Sequence, residues 1–319
     1  MKIETLQPQH IEIFNQEYEK CFDKFDLPYG KKLEKYFLEQ RIFNSQIYSF
    51  DFSKIILTKK NDICGFILAN LKKNPLQTHS SEIYLHWFFI NEKYRNQGCG
   101  KYIFKYLFDY AKNNGINKII TSLQWGGIFP GIPTQLNGVV LFCEKMGGVI
   151  KTGELFLELE MKHFIKKEIR LNDYKIRFFE EMDKEKLYQH LKANFGIGWQ
   201  CEVMSKVDKS FEPFNGYGLS NVYQPNDVIV VTFKNEICGF CIVQSKTDHE
   251  MAFFGPIAIS KEHRGKQLGE IILEKVIEYL QNLKKTKIGL WTNDIIYKKF
   301  YQPYGFIKTG ETVYVEWNI

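Results

Sequence analysis

Residues 82–100 decide the reading. They run Glu82-Ile83-Tyr84-Leu85-His86-Trp87-Phe88-Phe89-Ile90, then a short polar link, then Arg95-Asn96-Gln97-Gly98-Cys99-Gly100. The first nine are strongly apolar and rich in β-formers, so they read as a strand. Past Gly100, Ile103, Leu107, Tyr110 and Ala111 fall on one helical face. A glycine-rich loop thus joins a strand to the start of a helix. Glycine lets backbone N–H groups approach an anion with no Cβ in the way. The helix start adds unpaired donors at the positive end of its dipole. A diphosphate suits such a loop, and the bland alternative is an ordinary helix start with two turn glycines. The dinucleotide-binding fingerprint fails, because Ile103 stands where its third glycine belongs, and no G-K-[ST] exists for a Walker loop.

The same order of elements occurs twice. Lys60-Asn61-Asp62-Ile63-Cys64-Gly65-Phe66 recurs as Lys234-Asn235-Glu236-Ile237-Cys238-Gly239-Phe240. The surroundings of Arg95 recur at Arg264, and Ile150-Lys151-Thr152-Gly153-Glu154 recurs as Ile307-Lys308-Thr309-Gly310-Glu311. Three matches in one order mean two related domains with different loop lengths, not a solenoid. The junction is expected near His163–Asp173. Each copy reads as an opening strand, amphipathic helices, two strands around a polar turn, the long apolar strand, a helix, a further strand, a shorter helix and a last strand. That mixture predicts an α/β fold with one central sheet per domain.

At about 150 residues per domain, 319 residues allow two domains. With 16% aromatic residues, disorder is excluded. The net charge of +6 is spread without a basic block, which argues against a nucleic-acid arm. The opening MKIETLQPQH lacks an apolar signal core, and no apolar run reaches the ~18 residues of a membrane span. The seven cysteines are scattered and odd in number, and are read as free thiols in a reducing cytoplasm, with no metal site.

The strand, the R-x-x-G-x-G loop and the helix resemble the acetyl-coenzyme A site of the GNAT superfamily of N-acetyltransferases. Ile257-Ala258-Ile259-Ser260, followed by His263-Arg264-Gly265-Lys266-Gln267-Leu268-Gly269, resembles it too. Tyr301-Gln302-Pro303-Tyr304-Gly305-Phe306 is similar to the family's Y-x-x-x-G-F ending. The resemblance implies two tandem GNAT-like domains, 1–165 and 166–319, each a mixed central β-sheet flanked by helices. It implies that backbone groups of Phe88, Phe89 and Ile90, and of Ile257 to Ile259, carry the pantetheine arm. Loop amides of Gln97, Gly98, Cys99, Gly100 and Lys101 would hold the pyrophosphate, with Arg95 fixing the loop. In the second copy Arg264, Lys266, Gln267, Leu268 and Gly269 take these places, and Gln267 departs from the glycine pattern. Tyr301 would protonate the leaving thiolate, whereas Cys143 stands at that position in the first copy.

The general base is sought on the long strand of the first copy. Period-2 alternation predicts Glu82, Tyr84, His86 and Phe88 on one face, which makes Glu82 and His86 the candidates. Segment 125–133 is a candidate for shaping the acceptor pocket, with a simple spacer as the alternative, and segment 195–226 for a substrate lid, with an ordered connector as the alternative. The expectation is transfer of an acetyl group from acetyl-coenzyme A to a small-molecule or peptide amine by direct attack, without metal, membrane or nucleic acid. The competing expectation is a non-catalytic coenzyme A sensor or scaffold, because the better loop and the better acid lie in different copies.

Overall fold

The computed structural model describes residues 1–25, 50–71, 82–121, 131–166, 173–208, 225–245 and 250–319. They divide into two compact units: Met1–Glu154 with Gly310–Ile319, and Leu155–Thr309. The first unit contains β1 (Lys2–Thr5), β2 (Lys54–Leu57), β3 (Ile63–Leu71), β4 (Glu82–Ile90), β5 (Lys118–Thr121), the short β6 (Ile132–Pro133) and the start of β7 (Val149–Glu160). Its sheet runs β1-β2-β3-β4-β5 and then takes in the chain's last strand, β13 (Ile307–Asn318). Only β4 and β5 are parallel; the other pairs are antiparallel. Helices α1 (Ile11–Phe25), α2 (Cys99–Asn113) and α3 (Asn137–Lys145) accompany it.

The α2 stripe Ile103, Phe104, Leu107 and Ala111 is buried, as its spacing requires. Phe104 meets Phe88 of β4, Phe142 of α3 and Trp317 of β13 with ring centroids 4.9, 5.1 and 5.8 Å away. On the other face of β4, Trp87 meets Phe14 of α1. Burying side chains of this size stabilises by about 1.5–3 kcal/mol each.

The second unit repeats the plan. It uses residues 155–160 of β7 with β8 (Tyr174–Phe178), β9 (Val228–Phe233), β10 (Glu236–Gln244), β11 (Met251–Ile259) and β12 (Lys287–Thr292), in the order β7-β12-β11-β10-β9-β8. Helices α4 (Lys184–Asn194), α5 (Ile197–Val207) and α6 (Leu268–Asn282) belong to it. Each unit therefore draws its closing strand from the far copy of the repeat. The proposed repeat copies, 1–165 and 166–319, differ from the compact units by these exchanged ends. The expected junction begins in the turn Met161–His163, and residues 167–172 lie outside the described residues. None of the described helices is long and apolar enough to cross a membrane.

The repeated Cys-Gly-Phe has a packing cause. A Cβ on Gly65 would lie 2.2 Å from the Phe89 carbonyl oxygen, and one on Gly239 2.8 Å from that of Ala258. Glycine lets the long strand press against its neighbour just before the loop. The Asn91 amide then donates to Cys64 O at 2.8 Å, and the Ser260 amide to Cys238 O at 2.9 Å. Gly65→Val is expected to cost about 1–3 kcal/mol or more, by overpacking against backbone that has no side-chain freedom to yield. Urea unfolding checks this, and an unchanged midpoint refutes it.

Candidate functional site

The first unit holds a cleft of about 970 Å³, at the upper end of the roughly 300–1,000 Å³ usual for ligand sites. It opens because β4 outruns its parallel partner. Pairing with β5 runs from Glu82↔Lys118 to Leu85↔Thr121, yet β4 continues to Ile90. The second unit shows the same parting: β11 and β12 pair from Met251↔Lys287 to Phe253↔Gly289, then continue to Ile259 and Thr292. The cleft is walled by β4 from Leu85 to Ile90, by the loop and first turn of α2, by Glu17, Lys20, Cys21, Lys24 and Phe25 of α1, and by Thr121 and residues between Gly131 and Phe142.

Of the expected residues, His86, Phe88, Phe89, Ile90, Arg95, Gly98, Gly100 and Lys101 line the cleft. Glu82, Gln97 and Cys99 do not. Glu82 opens β4 opposite Lys118, at the far end of the strand from the loop. The Gln97 side chain donates to Lys93 O at 2.7 Å, and Cys99 is buried beneath the loop.

The two loops are built alike. Arg95 Nε donates to Ile90 O at 2.9 Å, and Arg264 Nε donates to Ile259 O at 2.9 Å, so each arginine ties the loop to the end of the long strand. Each loop has two left-handed residues two positions apart: Asn96 (φ 59°) and Gly98 (φ 82°), then Gly265 (φ 76°) and Gln267 (φ 58°). Glycine merely changes place between them. Gln267 therefore keeps the backbone form of Gly98, at the ~1–2 kcal/mol that a left-handed side-chain-bearing residue costs. Tyr102 N donates to Gly98 O at 2.9 Å, the first rung of α2. The amides of Cys99, Gly100 and Lys101 precede that ladder and are helix-start donors. A Cβ on Gly100 would meet the Phe142 ring at 3.0 Å, so this position requires a residue without one to keep helix and wall in contact.

Charge at the mouth is mostly spoken for. Lys24 pairs with Glu92 at 2.8 Å, Lys20 with Glu17 at 2.7 Å, and Arg95 with Glu92 at 3.4 Å. Lys24 and Arg95 hold the Glu92 carboxyl below its ordinary range, chiefly through the Lys24 hydrogen bond. Lys101 makes no ion pair among the described residues and lies at the amide-rich helix start. In the second unit, the exposed Lys266 instead bonds back to β8. Its Nζ donates to the Tyr174 hydroxyl at 2.6 Å, and that hydroxyl lies 2.9 Å from His263 Nδ1.

The strand alternation expected at His86 does not hold. Trp87 pairs with Leu68 and Leu85 with Ala69, so His86 is the extra residue of a β-bulge. Phe88 thereby moves to the face opposite Tyr84. His86 is buried and hydrogen-bonded to the Asn70 carboxamide oxygen, and burial pushes its pKa down to about 3. The imidazole is neutral at physiological pH. Cys143, in α3, is fully buried and its thiol is pushed up to about 12 by burial. Tyr301 ends a π-helical turn (Tyr297–Tyr301) among Phe254, Phe300 and Phe306, and burial raises its pKa, with Cys241 adding to the rise.

Sequence reasoning missed the α1 wall, where Glu17, Lys20 and Lys24 repeat at helical spacing on the cleft side. It also passed over Cys238 and Cys241 at C-x-x-C spacing. Cys238 is the extra residue of a bulge against β9, and both thiols are buried in the second unit's core and joined in no disulfide. Parts of the candidate segments 125–133 and 195–226, namely 125–130 and 209–224, lie outside the described residues. Among the described residues no three His, Cys, Asp or Glu side chains gather as metal ligands.

Comparison with known proteins agrees with this geometry. Residues 11–124 match the acetyltransferase (GNAT) family profile, and residues 224–308 match an acetyltransferase (GNAT) domain profile. No curated protein matches the chain. Among solved structures, the chain is similar to a GCN5-related glucosamine N-acetyltransferase region in a fungal multi-domain GH3 β-N-acetylglucosaminidase, with TM-score 0.78 and 14% identity. That match covers 99% of this chain and spans 38% of the fungal protein. A tandem GNAT protein from the clavulanic acid biosynthesis pathway gives TM-score 0.71 at 11% identity, over 99% of this chain and 98% of that one. A GCN5-related N-acetyltransferase from Sphaerobacter thermophilus gives 0.67 at 9% identity, over 99% and 95%. Identities this low speak for the fold.

Proposed function

This chain belongs to the GNAT acetyltransferase family, with two such domains in tandem, and from that premise we propose that its first unit binds acetyl-coenzyme A and passes the acetyl group to an amine. One observation carries the proposal: the cleft joins the parted end of β4 to Gly98, Gly100 and Lys101 at the α2 start. The amides of Gly98 to Lys101 and the Lys101 ammonium fit a diphosphate. The backbone of Phe88 to Ile90 fits an extended amide-bearing arm, which strand edges bind by hydrogen bonding.

Bound acetyl-coenzyme A supplies a thioester carbonyl. The amine nitrogen attacks that carbon, a C–N bond forms, the C–S bond breaks, and the amine gives up one proton. Thiols ionise near pH 8.5, so the sulfur leaves acceptably as thiolate or takes a proton from water. That chemistry tolerates Cys143 where the second copy has Tyr301. The residues of this unit contribute positioning, and a cleft wall of Trp87, Phe89 and Leu136 keeps water from the thioester. The free thiols among the described cysteines fit a reducing compartment, and cytoplasmic residence is part of the proposal.

Calorimetry with coenzyme A tests the site. Gly98→Glu places a carboxylate beside the diphosphate and is expected to weaken binding at least tenfold, while Arg95→Ala loosens the loop and weakens it several-fold. Unchanged binding in both variants sinks the assignment. Thiol release from acetyl-coenzyme A across amino sugars, polyamines and peptide N-termini then tests transfer. The buried Cys143 favours a second reading, a coenzyme A sensor, and binding without turnover on that panel would select it.

A further inference from the structure

The bulge in the long strand is made differently in the two units. In the second unit it falls at Gly255-Pro256, where pairing jumps from Cys241↔Ile257 to Val243↔Phe254 and Gly255 has φ 124°. In the first unit His86 stands at the corresponding place, without a left-handed φ. Its imidazole reaches across to β3, where Nε2 meets Asn70 Oδ1. Asn70 is itself buried, and its Nδ2 donates to Leu71 O at 2.8 Å. That second bond commits the amide nitrogen to a carbonyl and leaves oxygen to face the ring. An acceptor at Nε2 requires a hydrogen there, so the ring is the Nε2–H tautomer. The counterpart of Asn70 in the second unit is Gln244, which stands opposite Phe253, and the counterpart of His86 is Gly255.

We infer that Asn70 is a positioning residue of the first unit: through its bond to His86 it braces the β4 bulge and so sets the direction of Trp87 to Ile90, the strand end that walls the cleft. This rests on the transfer reaction proposed above for its effect on rate, though not for the state of the ring. Gly255 bends its strand through a left-handed φ, whereas His86 bulges at an ordinary φ and adds a side-chain bond across to β3. Asn70 does not line the cleft, so its influence passes through His86 and not through contact with a ligand.

Two measurements test the brace. Nitrogen NMR of the unaltered protein with labelled histidine should show one imidazole fixed as the neutral Nε2–H tautomer near neutral pH. Asn70→Leu, similar in size but unable to accept, should release that signal. It should lower kcat at least tenfold and raise KM for acetyl-coenzyme A, because the strand end that Asn70 directs is the one proposed to carry the cofactor's arm. Asn70→Asp keeps an acceptor facing the ring and should restore most of kcat. An Nδ1–H or protonated ring in the unaltered protein overturns the inference. So does an Asn70→Leu protein that keeps both the tautomer and kcat. If the protein transfers nothing to any amine, the proposed reaction fails, while the tautomer readout still decides the brace.

Discussion

A chain ending at Thr309 is expected to lose the first unit's fold and its coenzyme A site, although every residue lining that cleft lies between 17 and 142. The last ten residues complete the sheet beside β5, with Glu316↔Ile120 and Asn318↔Lys118 in register. They also hold the cleft wall. Val315 N donates to Thr121 Oγ1 at 2.8 Å, and Thr312 and Val313 pair with Pro133 and Ile132. Val315 and Trp317 are buried in the core, and Trp317 packs on Phe104 and Phe108 of the helix whose start faces the cleft. Trp317→Ala alone should cost about 3–5 kcal/mol, a large part of the ~5–15 kcal/mol that holds a domain together. Hydrogen exchange of β4 and β5 and calorimetry with coenzyme A read the outcome. Native protection of β5 in the truncated chain would refute it.

Acid is expected to weaken the first unit in a window set by His86. In the unfolded chain histidine titrates near 6.5, while burial brings the folded value down to about 3. Below pH 6.5 the unfolded chain takes a proton that the folded one refuses. Stability is therefore full above pH 6.5 and falls as pH drops toward 3, by about 1.4 kcal/mol per unit and about 5 kcal/mol at most. His190, also lowered by burial, adds a slope of the same sign in the second unit. His86→Gln removes the first contribution, so its urea midpoints between pH 6.5 and 4 should fall less steeply than those of the unaltered protein. Equal slopes would show that His86 is not buried as a neutral ring.

Much of the architecture was readable from residues alone. Glu82–Ile90 is a strand at the expected bounds, and Ile63–Leu71, Val228–Phe233, Met251–Ile259 and Lys287–Thr292 are strands in the expected order, since runs of β-branched and aromatic residues end there at polar turns. The loop at 95–100 was readable because left-handed and closely packed positions select glycine. The bulge at His86 was not, because a single extra residue leaves composition unchanged while reversing every later side chain. Asn70 gave no sign for the same reason: its partner is defined by cross-strand register. The Lys and Glu residues of α1 looked like an ordinary solvated helix face, and only tertiary contact makes that face a wall.

The exchanged closing strands also bear on how the molecule is made. On the ribosome, residues 1–154 emerge before residues 310–319, yet their sheet must wait for that later stretch. The nascent first half thus waits with β5 lacking its neighbour until residues 310–319 are made, whereas Leu155–Thr309 is complete sooner. A gene cut between the repeats would yield two fragments, each missing an edge that only the other encodes.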